Sequence, residues 1–181
     1  MIVKQVSFST KARQDLIDGI NTLADAVKST LGARGQTVLI ESENHTRGIT
    51  VTKDGVTVAK SINLMHPTQN LAVTMMKEAA ENTAVSAGDG TTTAIVITQA
   101  IVLEAQKRIK DHMNLTDIIR AIQASSKFVV KELVKVSKKV NGKRLLDVAS
   151  ISSNNDVFIG KIIADAYNAV GDTGVVTVEN A

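Results

Sequence analysis

The chain has no cysteine, which excludes disulfides, thiol nucleophiles and Cys-based zinc sites. It has no tryptophan, three phenylalanines and one tyrosine, so burial has to come from Ala, Val, Ile, Leu and Met. That palette favours packed helices over a sandwich. No apolar run is long enough to span a bilayer, and Met1-Ile2-Val3-Lys4-Gln5 leads into polar residues without the apolar core of a secretory signal. Neither sign of charge dominates: 21 basic against 18 acidic residues give +3, too balanced for charge alone to argue for nucleic acid. The lysines at 131, 135, 138, 139 and 143 do crowd one region, read as a solvated helix face with cations near its C-terminus. At 181 residues the chain holds one ordinary domain, or one domain with part of a second. The expectation is a soluble intracellular protein that is mainly α.

What is present is a series of helical patterns separated by glycine. Ser9 or Thr10 caps a helix with apolar residues at Ala12, Leu16, Ile20, Leu23, Val27 and Leu31, stopped by Gly32. Thr37 to Glu41, Ile49 to Thr52 and Val56 to Ala59 read as short strands, the last two joined by an Asp54-Gly55 hairpin turn. Pro67, the single proline, opens a second helix carrying Met75 and Met76, which read as core filler. A third runs from Thr91 to about Lys110, with a first half apolar enough to require burial. Asn114 caps a fourth, with Asp117 at its third position, ending near Val136 before Asn141-Gly142. A short segment from Leu145 to Ala149 follows, then Ser152 to Asn155 cap a helix from Asp156 to about Val170. Val175 to Glu179 reads as a last strand with no partner in the nearby sequence, which suggests a piece of something longer.

The chemistry concentrates in Gly88-Asp89-Gly90-Thr91-Thr92-Thr93. Two glycines bracket a carboxylate, and three hydroxyls run into a helix start whose first N–H groups lack internal partners. Oxyanions bind there, and Asp89 is the hard oxygen ligand that Mg²⁺ prefers. The same residues also make an ordinary capped turn. Two further turns share the polar, glycine-containing character: Thr30 to Gly35 and Lys53-Asp54-Gly55. Each has a plain reading, as a helix C-cap and as a hairpin turn. If the three converge, they supply backbone donors, one ammonium and two carboxylates, the inventory for holding a metal-bound triphosphate and directing water at it. There is no Gly-x-x-x-x-Gly-Lys-Ser/Thr loop, which excludes P-loop chemistry. His45, His66 and His112 lack metal-ligand spacing and read as surface residues.

In their order these turns resemble the group I chaperonins, the GroEL family. The matching stretches are Ala24 to Lys28, Thr30-Leu31-Gly32, Thr52 to Val56, Met76-Lys77-Glu78, Ala87 to Ala94, Ile151 to Asn154 and Gly174 to Glu179. The resemblance implies an ATP-driven protein-folding ring whose subunits have equatorial, intermediate and apical domains. Residues 1 to 135 resemble the N-terminal half of the equatorial domain. Residues 136 to 181 resemble the ascending half of the intermediate, hinge domain. The apical domain would begin just past Ala181, and with it the partners, unfolded proteins and a co-chaperonin. Other implied partners are copies of the subunit, with no nucleic acid and no membrane, and the implied location is the cytoplasm, an organellar matrix or a phage host's cytoplasm.

By the same resemblance, Thr30, Leu31, Gly32 and Ala33 match a loop that wraps the ATP phosphates, and Lys53 a lysine near the terminal phosphate. Asp89 matches the Mg²⁺ ligand, with K⁺ a further candidate cofactor. Gly90, Thr91, Thr92 and Thr93 match the phosphate cradle, Asp54 a carboxylate close to the attacking water, and Ile151 and Ser152 the nucleoside end. The sequence departs from the family at Ala33 and Arg34, where proline and lysine are usual. The family's principal water-activating aspartate belongs to its C-terminal half, so the implied activity is an ATPase for the intact protein and an open question for these 181 residues. The alternative is a non-catalytic, truncated chaperonin-like assembly module.

Overall fold

A computed structural model describes residues 6–32, 34–41, 48–110, 112–171, 174–177 and 179. The chain divides into two compact units, Met1–Met113 and Asn114–Ala181.

The first unit is built on three long helices, α1 (Ser9–Lys28), α3 (Pro67–Ala87) and α4 (Thr91–Arg108), with a short α2 (Gly55–Ser61) among them. Their shared core is Leu23, Ala24 and Val27 of α1, Val58 and Ala59 of α2, Val73, Met76 and Ala80 of α3, and Ile95 of α4. As the composition requires, this core is aliphatic. Each fully buried Leu, Val or Ile contributes about 1.5–3 kcal/mol. Small residues let the helices approach closely: a Cβ on Gly19 of α1 would run into the backbone of Gln69 at the start of α3. Strands β1 (Val38–Glu41) and β2 (Ile49–Thr52) pair antiparallel, Val38 opposite Thr52 and Glu41 opposite Ile49. Val38 and Ile40 pack one face of this ribbon against the helical core.

The second unit contains α5 (Leu115–Val136), α6 (Lys143–Ser152) and α7 (Val157–Val170). The last two pair closely over Ala149, Gly160 and Ala164, which are buried. α5 is amphipathic, yet it buries none of its residues. No helix among the described residues is long and apolar enough to cross a membrane.

Several expectations are met. Pro67 is the first residue of α3, and Asn114 caps α5 by accepting from the Thr116 N–H at 3.0 Å. Others are corrected. Val56 to Ala59 is not a strand but most of α2, because the Asp54 carboxylate caps a helix there and outweighs the β-branched Val-Thr-Val run. Residues 174–177 take no strand, since β1 and β2, the strands among the described residues, pair only with each other. Position 8 caps α1, without a side-chain bond, so neither Ser9 nor Thr10 serves. Leu145 to Ala149 is the middle of α6, and Asp156 caps α7, accepting from Phe158 and Ile159. α4 is buried along one stripe only, and Ile97 is 53% exposed. Met76 is core whereas Met75 faces outward. His112 is exposed, His66 is half-buried near Asp15, and His45 lies outside the described residues.

Candidate phosphate site

Three short turns meet where α1 ends and where α2 and α4 begin. After α1 the chain folds back on itself, with Gly35 N–H donating to Gly32 O at 2.9 Å and Gln36 N–H to Ser29 O at 2.7 Å. The Thr30 hydroxyl donates to Val27 O at 2.8 Å, which anchors the loop to the last turn of α1. Leu31 is 45% exposed; Gly32 has a positive φ of 74° but does not stop α1, which already ends at Lys28 with Ser29 as its cap; and Ala33 lies outside the described residues.

Gly55 is where the turns touch. A Cβ added to it would collide with Thr92 Oγ1, and would lie 3.0 Å from Thr30 Oγ1 and 3.2 Å from Val27 Cγ1. A larger residue there would force the Thr92 side chain to shift, because the loop after α1 and the first turn of α4 both close on that point. One residue from each of the three sequence motifs is thereby brought together.

The helix starts beside that contact differ. At α2 the Asp54 carboxylate closes the end: Oδ1 accepts from Val56 N–H at 3.2 Å, and Oδ2 from Thr57 N–H at 2.9 Å and the Thr57 hydroxyl at 2.6 Å. Partial burial pushes the Asp54 carboxyl up, but the bonds from Thr57 and Val56 and the nearby Lys60 charge outweigh it. The net effect holds the group below its ordinary value, as a carboxylate. At α4 the N-cap is Gly90, which makes no side-chain cap bond. The first N–H groups of that helix are therefore not capped by a side chain of its N-cap residue. The chain reaches it through Gly88 and Gly90, at φ 76° and 93°, conformations that an L side chain strains to adopt.

Of the three threonines expected to form the cradle, Thr91 is buried, Thr92 is half-buried against Gly55, and Thr93 is exposed. Asp89 is exposed, with Oδ1 accepting from the Gly90 N–H at 2.5 Å and Oδ2 free of any such bond. No group of three or more His, Cys, Asp or Glu residues able to hold a metal occurs among the described residues. One carboxylate beside an anion cradle suits Mg²⁺, which binds through one or two carboxylates plus substrate phosphates and waters. Lys53 is exposed between β2 and α2. Ile151 and Ser152 are exposed at the end of α6, in the second unit.

Residues 23–181 match the TCP-1/cpn60 chaperonin family. The chain belongs to that family. It corresponds to the N-terminal part of a chaperonin subunit. Among solved chaperonins, gp146 from the bacteriophage EL 2 (Pseudomonas aeruginosa), crystallised in the presence of ATP-BeFx, superposes with a TM-score of 0.75 at 30% identity over 88% of this chain. A second crystal form of the same protein gives 0.74 and 31% over 89%. This chaperonin chain spans 28% of the length of each.

Two polar contacts in the chaperonin chain had no sequence motif to announce them. Lys77 of α3 donates to Lys60 O at the end of α2, 3.0 Å away, and to Asn63 Oδ1 at 3.3 Å. Burial lowers its pKa, and Glu81 opposes that shift. Gln99 of α4 is 3% exposed and bonds three side chains of α1. The available signal was the spacing of Asn21, Asp25 and Lys28, which puts three polar groups on one stripe of an otherwise core-facing helix end.

Proposed function

We propose that this chain carries the phosphate- and Mg²⁺-binding half of the ATP site of a protein-folding chaperonin. The observation that carries this reading is the meeting of Thr30, Gly55 and Thr92 beside a helix start without a side-chain cap. Main-chain N–H groups of residues 91–93 would hold phosphate oxygens, Thr30 to Gly32 would cover them, and Lys53 would neutralise the terminal phosphate. Asp89 would ligate Mg²⁺, whose chemistry in such a site is to screen charge and polarise the phosphoryl group. Ile151 and Ser152 are assigned to the nucleoside by family resemblance. Residues 1 to about 135 would form half of the equatorial domain and 136 to 181 part of the hinge, in a subunit of a cytoplasmic ring. The crystallisation of gp146 with ATP-BeFx supports a nucleotide as the ligand.

Titration of the chain with ATP, with and without Mg²⁺, tests this reading, using Asp89→Ala as the comparison. The expected result is binding that Mg²⁺ strengthens in the parent and leaves unchanged in the variant. Equal Mg²⁺ dependence in both would remove Asp89 from the metal role, and no binding at all would remove the reading.

A second reading, an assembly module without turnover, is favoured by one feature. Both oxygens of Asp54, matched by resemblance to a carboxylate close to the attacking water, are engaged by its own helix. Mass in solution, alone and with a full-length chaperonin, tests that reading; a chain that stays monomeric in both conditions leaves it without support.

A further inference from the structure

The residues buried on α4 are Thr91, Ile95 and Gln99, one stripe at intervals of four. They divide the work along the helix. Thr91 belongs to the cradle, Ile95 fills the core, and Gln99 makes directional contacts with α1. Its Oε1 accepts from Lys28 Nζ at 2.6 Å, and its Nε2 donates to Asn21 Oδ1 at 2.8 Å and Asp25 Oδ1 at 3.1 Å. Both amide hydrogens and the carbonyl are thus satisfied inside the protein. Lys28 also lies 3.5 Å from Asp25, which closes the network on the α1 side.

The rest of the nearby packing is aliphatic: Leu23, Ala24 and Val27 share the core with Ile95. Such contact is non-directional and tolerates a small slide or rotation of one helix on the other. Hydrogen bonds at fixed distances and angles do not. The clearance at Gly55, too small for a Cβ against Thr92, makes the position of the first turn of α4 critical. Thr30 is two residues beyond Lys28, so the same end of α1 sets the loop on the other side of that clearance.

The geometry points to Gln99 as a positioning residue that holds the first turn of α4 in register with the loop after α1. This role rests on the phosphate-site reading for its consequence in binding, though not for its effect on the helices. A displacement of about 1 Å at a site of this kind costs up to a hundredfold in function.

The absence of native cysteine allows the register to be read directly. Thr22→Cys and Ile97→Cys place spin labels on exposed positions of α1 and α4, outside both the network and the cradle. Gln99→Leu is expected to shift or broaden their distance distribution. In the unlabelled chain it should weaken Mg-ATP binding about tenfold or more at temperatures where circular dichroism stays native. Ile95→Val, a core change on the same stripe that leaves the network intact, should lower the melting temperature and move neither reading. The double change Gln99→Glu with Asp25→Asn reverses donor and acceptor across that contact, and should restore both readings toward the parent. Should Gln99→Leu not fold, Gln99→Glu alone, which keeps the acceptor for Lys28 but sets a carboxylate oxygen against the Asn21 and Asp25 oxygens, gives the same comparison. An unchanged distance distribution overturns the role, whether or not nucleotide binds. In a parent that binds Mg-ATP, a changed distribution with unchanged affinity overturns the link from register to binding. If the parent binds no Mg-ATP while Gln99→Leu still shifts the distances, the register role stands and the nucleotide reading falls.

Discussion

Replacing Gly55 with alanine sets two calculable effects against each other. Gly55 is the first residue of α2, where alanine would gain about 0.5–1 kcal/mol through the smaller entropy loss of its backbone. Against this, the added methyl would overlap Thr92 Oγ1 and crowd Thr30 Oγ1 and Val27 Cγ1. Overpacking of that kind costs about 1–3 kcal/mol. The expected balance is a loss of up to about 2.5 kcal/mol in urea denaturation, with a fall in Mg-ATP affinity because the methyl drives the loop and the cradle apart. The partner of the collision can be shortened: in a Thr92→Ala background the Gly55→Ala cost should shrink, with a coupling of about 1 kcal/mol between the two sites. A Gly55→Ala chain as stable as the parent, with unchanged affinity, would refute the convergence of the three turns.

Asp54→Asn keeps a capping side chain and removes a titrating one. The folded state holds the Asp54 carboxyl below its reference of 3.8, so its stabilisation is present above that value and lost as pH falls through the lower folded value. Denaturant melts should therefore show near-parent stability at pH 7 and a flatter acid limb below about pH 4 for Asp54→Asn, whereas Asp54→Ala loses about 1 kcal/mol at neutral pH. Gly88→Ala has open space around it but a φ of 76°, so thermal melting should show a loss of about 1–2 kcal/mol, less for Gly88→Asn. Ile95→Ala, at a position 2% exposed, should cost about 2–5 kcal/mol in urea denaturation.

The helices of the first unit were legible in sequence because aliphatic spacing, Pro67 and the glycine stops all point the same way. The segment after Lys53 was not. Val56-Thr57-Val58 has the composition of a strand, and the bonds made by the Asp54 carboxylate together with burial of Val58 and Ala59 decide for a helix. The candidate site divides similarly. Its chemistry is written locally, in the Gly-Asp-Gly-Thr-Thr-Thr string, but the contact that assembles it joins residues 30, 55 and 92 and follows only from tertiary packing. Gln99 carries no local signal at all, since its partners lie 71 to 78 positions away.

The unlike starts of α2 and α4 have a consequence for local opening. The first turn of α2 is held by a carboxylate of its own chain, which gives its amides at 56 and 57 a hydrogen-bond partner that must be broken before they open. The first turn of α4 has no such side-chain lock and belongs to the low end of the local stability range. Amide exchange at residues 91–93 should then be the faster of the two, and slow selectively when an anion binds, because a ligand stabilises the state it selects. The two helix ends would form an internal gauge: one pair of amides reports the fold, the other reports occupancy.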